Sequence, residues 1–137
     1  MNTDPQALVL LVEDNPADAM LVEEAINEAH VGCALQIVGD GTKALEFFSR
    51  VEEDEKPCPD LIMLDLNLPR LSGEEVLRRL RSSSRFRTTK VLIITSSDAS
   101  SDRQRVMELG ADDYFRKPST LDQFLELGPK IRQLLQA

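Results

Sequence analysis

The 137-residue sequence has no tryptophan, one tyrosine, one histidine and only two cysteines. Cys33 and Cys58 show no ligand-like spacing, and with a single histidine the chain lacks the soft donors of a zinc site. The two cysteines read as free thiols in a reducing compartment. No apolar run approaches the ~18 residues of a membrane span. The opening MNTDPQ is polar and acidic, unlike a secretion leader. A cytoplasmic chain with no membrane association is therefore expected. Positive charge is also scarce: 16 Lys and Arg stand against 24 Asp and Glu, a net charge of −8. That balance favours solubility and opposes general nucleic-acid binding.

The length suits one domain with a real core, since 42% of the residues are hydrophobic. Five apolar segments, 8–12, 34–38, 61–64, 91–94 and 113–115, alternate with helix-like stretches at 16–30, 41–52, 73–82, 99–109 and 119–135. Val22, Ala25, Ile26 and Ala29 share one helix face, as do Val76, Leu77 and Leu80. Ser72-x-x-Glu75 is a capping box opening the third helix, Asp40-Gly41 reads as a cap and turn, and Gly110 closes the fourth helix. Strand alternating with helix five times predicts an α/β fold, a parallel sheet covered on both faces. LVLLV, LIML and VLII are continuous apolar runs, as central parallel strands require. ALQIV and DYF are less apolar or shorter and suit the edges. The doubly wound order 2-1-3-4-5 satisfies this ranking.

In such a sheet, ligands bind beyond the carboxyl ends of the strands. The first strand ends in Glu13 and Asp14, the third in Asp65, and the fourth in Thr95 followed by Ser96 and Ser97. Lys117 lies just past the fifth. Taken singly, each has an ordinary reading: a turn acid, a helix start ahead of Asn15-Pro16, a β-branched strand residue, a solvated lysine. Together at the ends of four strands they form a site. Three clustered carboxylates repel one another unless protons or a cation intervene. All-oxygen ligation with few protein ligands suits Mg²⁺, which keeps waters and accepts a phosphate. A lysine and a hydroxyl beside it complete a cradle for a phosphoryl group.

The segments LLVEDN at 10–15, LDLNLPRLSG at 64–73, IITS at 93–96 and DYFRKP at 113–118 resemble the receiver domain of bacterial two-component response regulators, over about residues 7–136. The resemblance implies a flavodoxin-like, three-layer receiver fold: one domain over 1–137 with a short tail at 1–6 and no output domain. It implies that Asp65 is the phosphoacceptor, attacking a phosphohistidine of a sensor histidine kinase to give an acyl phosphate. Asp14 and Asp65 would ligate Mg²⁺ with the backbone carbonyl of Asn67, and Glu13 would act through a water. Lys117 would pair with one phosphoryl oxygen and Thr95 would move to another, with Tyr114 turning inward in response. Asn67 and Ser97 occupy the positions expected to tune hydrolysis. The Lys117–Pro118 peptide is expected to be cis. The acidic loop 52–59 and the opening VEDNPADA are similar to stand-alone receivers that serve phytochrome-type sensor kinases.

Two rival chemistries use related topologies. A Mg²⁺-dependent phosphatase of the haloacid dehalogenase type also has a strand-end Asp nucleophile, but wants an acid two residues on, where this chain has Asn67. A flavodoxin-like binder wants a Ser/Thr/Gly-rich loop after the first strand, where EDNPADA stands. A receiver catalyses only its own phosphorylation and slow dephosphorylation, so no turnover enzyme is expected. Its output passes through another protein or a second copy, and a homodimer is compatible with this. The basic run Arg78, Arg79, Arg81, Arg85, Arg87 and Lys90 lacks an aromatic ladder and reads as a solvated helix face and loop. His30 reads as a partner of a helix C-terminus rather than a phosphorelay histidine. Gly128-Pro129 predicts a kink or break in the last helix.

Overall fold

Each of the five apolar segments is a strand: β1 (Ala7–Val12), β2 (Cys33–Val38), β3 (Leu61–Asp65), β4 (Lys90–Thr95) and β5 (Asp113–Arg116). Between them run α1 (Pro16–Glu28), α2 (Gly41–Glu52), α3 (Gly73–Ser82) and α4 (Ser100–Glu108). The chain then closes with the short α5 (Leu121–Phe124) and α6 (Leu127–Gln136). The computed structural model describes residues 6–97 and 99–136, so positions 1–5 of the expected tail lie outside the described residues. All strand pairs are parallel and the order is β2-β1-β3-β4-β5, the doubly wound arrangement. Among the described residues, no helix is long and apolar enough to cross a membrane.

The period-2 alternation of the strands divides the core into two layers. Leu10, Val12, Ile62, Leu64, Val91 and Ile93 face α2, α3 and α4 and pack on Phe48, Leu77, Leu80 and Phe86. Val9, Leu11, Leu61, Met63, Leu92 and Ile94 face the opposite side and pack on Val22, Ala25, Phe124 and Ile131. The central strands β3 and β4 are buried almost throughout, while β2 alternates between half-buried and exposed positions. The ranking of central and edge strands by apolar continuity therefore holds.

Helix ends follow the local chemistry. Asn15, Asp40 and Ser72 are N-caps, each accepting first-turn amides with its side-chain oxygen. At the end of α4, Gly110 N donates to Met107 O and Ala111 N to Val106 O, with Gly110 at φ 110°. His30 occupies the corresponding left-handed position after α1, with φ 53°, and its N–H donates to Asn27 O at 3.1 Å. It is exposed.

The break expected near residue 128 is present but falls earlier: the chain turns at residues 125–126, so Pro129 lies in the first turn of α6, where its missing N–H costs nothing. Two other expectations need correction. The Lys117–Pro118 peptide is trans. Trans is the default for X–Pro by about 0.5–1 kcal/mol, and here the Lys117 N–H is satisfied by Thr95 O at 2.7 Å. The basic run is also not simply solvated. Arg79 binds Glu52 at 2.6 Å, Arg85 binds Asp54 at 2.8 Å, and Arg81 binds Asp112 at 3.2 Å. Glu52 at the end of α2 and Asp54 just after it reach α3 and the segment that follows it, so two of the basic side chains are paired across the stretches. Arg81 also donates to the carbonyls of Phe86, Thr89 and Gly110 at 2.7–3.0 Å.

Candidate functional site

Strand register assembles the site. Val12 pairs with Leu64, so Glu13 falls beside Asp65. Asp65 pairs with Ile94, placing Thr95 one step beyond it. Thr95 pairs with Arg116, which puts Lys117 next in line. Asp65 continues the face of Leu61 and Met63, toward α1, whereas Thr95 continues the face of Val91 and Ile93, toward the α4 side. Asn67 links them: its backbone N–H donates to Asp65 Oδ1 at 3.0 Å and its Nδ2 to Thr95 Oγ1 at 3.2 Å.

Glu13 and Asp65 are each 3% exposed and Thr95 is fully buried. Lys117 Nζ donates to Glu13 Oε1 at 2.7 Å, to Asp18 Oδ2 at 2.8 Å and to Asp65 Oδ2 at 3.0 Å. Burial alone would depress this ammonium, but the bonds to Asp18, Glu13 and Asp65 together overcome it and hold Lys117 above the usual lysine range. Burial pushes the Glu13 carboxyl up to about 7, with the Asp65 charge adding to the effect and Lys117 pulling against it. The two rises differ in cause: burial raises the acid directly, whereas the surrounding carboxylates raise the lysine against the effect of burial.

The loop behind Asp65 is tight. Gly73 N donates to Leu66 O at 3.1 Å. A methyl group at Gly73 would stand 2.2 Å from the Asp65 carbonyl oxygen, so α3 starts hard against the strand tip. On the other side, Thr95 Oγ1 also accepts Ser97 N at 3.2 Å, and Ser97 Oγ donates to Asp102 of α4 at 2.6 Å. Tyr114 is already packed inward, its hydroxyl donating to Ser97 O at 3.0 Å and its ring facing the Arg103 guanidinium at 5.6 Å.

The residues fit a hard divalent cation. Carboxylate oxygens of Glu13, Asp14 and Asp65 lie within 4.8 Å of one another, with Asp14 exposed to solvent. Asp18 adds a fourth carboxyl group beside them, and three of the four, Glu13, Asp18 and Asp65, bond the Lys117 ammonium. The donor set is all oxygen, which matches Mg²⁺ or Mn²⁺ rather than a soft metal.

The response regulator receiver domain model matches residues 9–127. The chain is a response regulator receiver domain. It is 33% identical over 126 residues to response regulator Rcp1 of Synechocystis sp., covering 91% of this chain and 86% of that protein. The receiver superposes on the phosphorylated cyanobacterial phytochrome response regulator RcpA with a TM-score of 0.87, at 30% identity over 97% of this chain and 96% of that one. It also superposes on the Mn²⁺-bound form of Rcp1 with a TM-score of 0.83, at 32% identity over 94% and 93% of the two chains.

Glu13, Asp14, Asp65, Asn67, Thr95, Ser97 and Lys117 stand at or just beyond the carboxyl ends of β1, β3, β4 and β5, while Tyr114 lies within β5 and reaches Ser97 through its hydroxyl. Sequence reasoning missed two residues, Asp18 and Asp102. Each is a first-turn helix acid, a place where the helix dipole alone accounts for an acid.

Proposed function

We propose that Asp65 accepts a phosphoryl group from a phosphohistidine of a phytochrome-type sensor histidine kinase, and that the resulting charge switches the surface this receiver offers to partners. The carrying observation is that Asp65, 3% exposed, is held at one oxygen by the Asn67 N–H and at the other by the Lys117 ammonium, beside two further acids. An Asp65 oxygen attacks phosphorus and a P–O bond forms. The P–N bond breaks, its electron pair returns to the imidazole nitrogen, and an acyl phosphate results. Phosphoryl transfer is mostly positioning and charge stabilisation. A Mg²⁺ ion held by Asp14, Asp65 and the Asn67 carbonyl, with Glu13 acting through a water, supplies charge for the phosphoryl oxygens when bound.

Lys117 orients one phosphoryl oxygen. Thr95 gives up its bonds to Asn67 and Ser97 to reach another, and Tyr114 follows the Ser97 segment. Asn67 and Ser97 control the approach of water and hence the lifetime of the acyl phosphate. A nearly complete switch needs about 5.5 kcal/mol of differential stabilisation, which three charge-assisted contacts of roughly 1.5–3 kcal/mol each supply. The chain is a switch with its own phosphorylation chemistry rather than a turnover enzyme. Asn67, where a haloacid dehalogenase-type phosphatase has an acid, supports that reading. One receiver domain, a cytoplasmic site of action and output through a partner protein or a second copy belong to the same proposal. The likeness to RcpA supports the kinase class.

The test is intact mass after incubation with a small-molecule phosphodonor and MgCl₂. One added phosphoryl group is expected, absent in Asp65→Asn and absent with EDTA. Labelling that survives Asp65→Asn would move the acceptor elsewhere.

A further inference from the structure

An ammonium has three donors, and in Lys117 three carboxylates occupy all of them: Glu13, Asp18 and Asp65, at 2.7, 2.8 and 3.0 Å. Two of these partners have other tasks. Glu13 and Asp65 belong to the group that can hold a cation, and Asp65 is the proposed acceptor. Asp18 lies outside that group and comes from α1.

We propose that Asp18 is a positioning residue that keeps the Lys117 ammonium aimed at the phosphoryl oxygens on Asp65 while Glu13 and Asp65 turn to the cation and the phosphoryl group. The inference rests on the receiver reading. Lys117 needs such an anchor because the N–H bond to Thr95 O at 2.7 Å holds only its backbone, and a lysine's four-carbon stem is flexible unless its ammonium is held. Asp18 can serve because its own place is fixed. Asn15 caps α1, its Oδ1 accepting Ala17 N at 2.9 Å and Asp18 N at 3.4 Å. Ala19 and Val22 bury the next turn against the sheet. The first turn of a helix is also where a carboxylate is electrostatically favoured.

The rival account gives the opposite sign. If Asp18 merely crowded the site with negative charge, its removal would favour an incoming anion.

The test is calorimetric titration of the whole protein with beryllium fluoride, a tetrahedral phosphoryl mimic, in excess MgCl₂. We expect wild type to bind tightest and Asp18→Ala to bind about tenfold more weakly, the loss of one charge-assisted hydrogen bond. Asp18→Asn should fall between them, since its amide oxygen still accepts from the ammonium. A second reading, without metal, is the side-chain ammonium signal of ¹⁵N-labelled Lys117, expected in wild type and lost to fast exchange in Asp18→Ala. Variants that bind the mimic as tightly as wild type or tighter would overturn the anchor. So would weaker binding with the Lys117 signal unchanged. A wild-type protein that takes up no mimic would overturn the receiver reading, and this inference with it.

Discussion

Asn67 Nδ2 donates to Thr95 Oγ1 across 3.2 Å, tying the loop after β3 to the tip of β4. The same fully buried residue accepts Ser97 N at 3.2 Å. Thr95→Val keeps the shape and removes the acceptor for both. Stability is expected to fall by about 1–3 kcal/mol, the cost of an unpaired polar group. The change would be read as a lower urea midpoint at unchanged slope. Thr95→Ser is expected to recover most of it.

Metal affinity is expected to rise with pH around neutrality. Glu13 titrates at about 7 in the folded chain, above the ~4.3 of an unfolded glutamate. The metal-free fold therefore holds this proton more tightly than the unfolded chain, and Glu13 subtracts stability as pH rises through that window. A cation needs the ionised carboxylate, so metal binding releases the proton and the metal-dependent gain runs the other way. Apparent Mg²⁺ affinity is expected to increase about tenfold from pH 6 to pH 8, measured by thermal melts across a MgCl₂ series. Glu13→Gln is expected to flatten the dependence.

Glu52 acts in the opposite pH direction. Its bond to Arg79, with a second from Ser83, holds the carboxyl below the usual glutamate range. That contribution is fully present above the unfolded value of ~4.3 and disappears as pH falls through the lower folded one. Wild type is therefore expected to lose more stability between pH 5 and pH 3 than Glu52→Gln does. For a side chain 27% exposed, the difference should stay below about 1 kcal/mol. Urea unfolding at the two pH values decides it.

Arg81 joins three segments through the carbonyls of Phe86, Thr89 and Gly110. Arg81→Ala is expected to cost about 3 kcal/mol and to accelerate amide hydrogen exchange around residues 86–91 and 110–112 selectively. Arg81→Lys is expected to rescue little, because a point charge cannot replace the planar fork.

The sheet and its order were legible because a parallel strand buried on both faces cannot hide its composition: LVLLV, LIML and VLII have no polar interruption. Asp65, the proposed acceptor, was legible because a carboxylate at the tip of such a run needs a reason to be there. Asp18 was not legible, since a first-turn acid is its own sufficient explanation until Lys117 is seen to reach it from 99 residues away. The pairing of Glu52 and Asp54 with Arg79 and Arg85 was hidden for the same reason, each sequence stretch looking like an ordinary solvated one. Gly128-Pro129 announced a break, but its position depended on α6 tolerating a proline in its first turn, which local pattern does not reveal.

Gly73 carries no chemistry, yet it constrains the chemistry most. With its α-carbon pressed against the Asp65 carbonyl, the hairpin-like excursion between them is pinned at both feet. Any lengthening near either foot would shift the Asp65 carboxylate from its bonds to Asn67 and Lys117. The crown at Pro69 and Arg70 stands exposed to solvent, away from both feet.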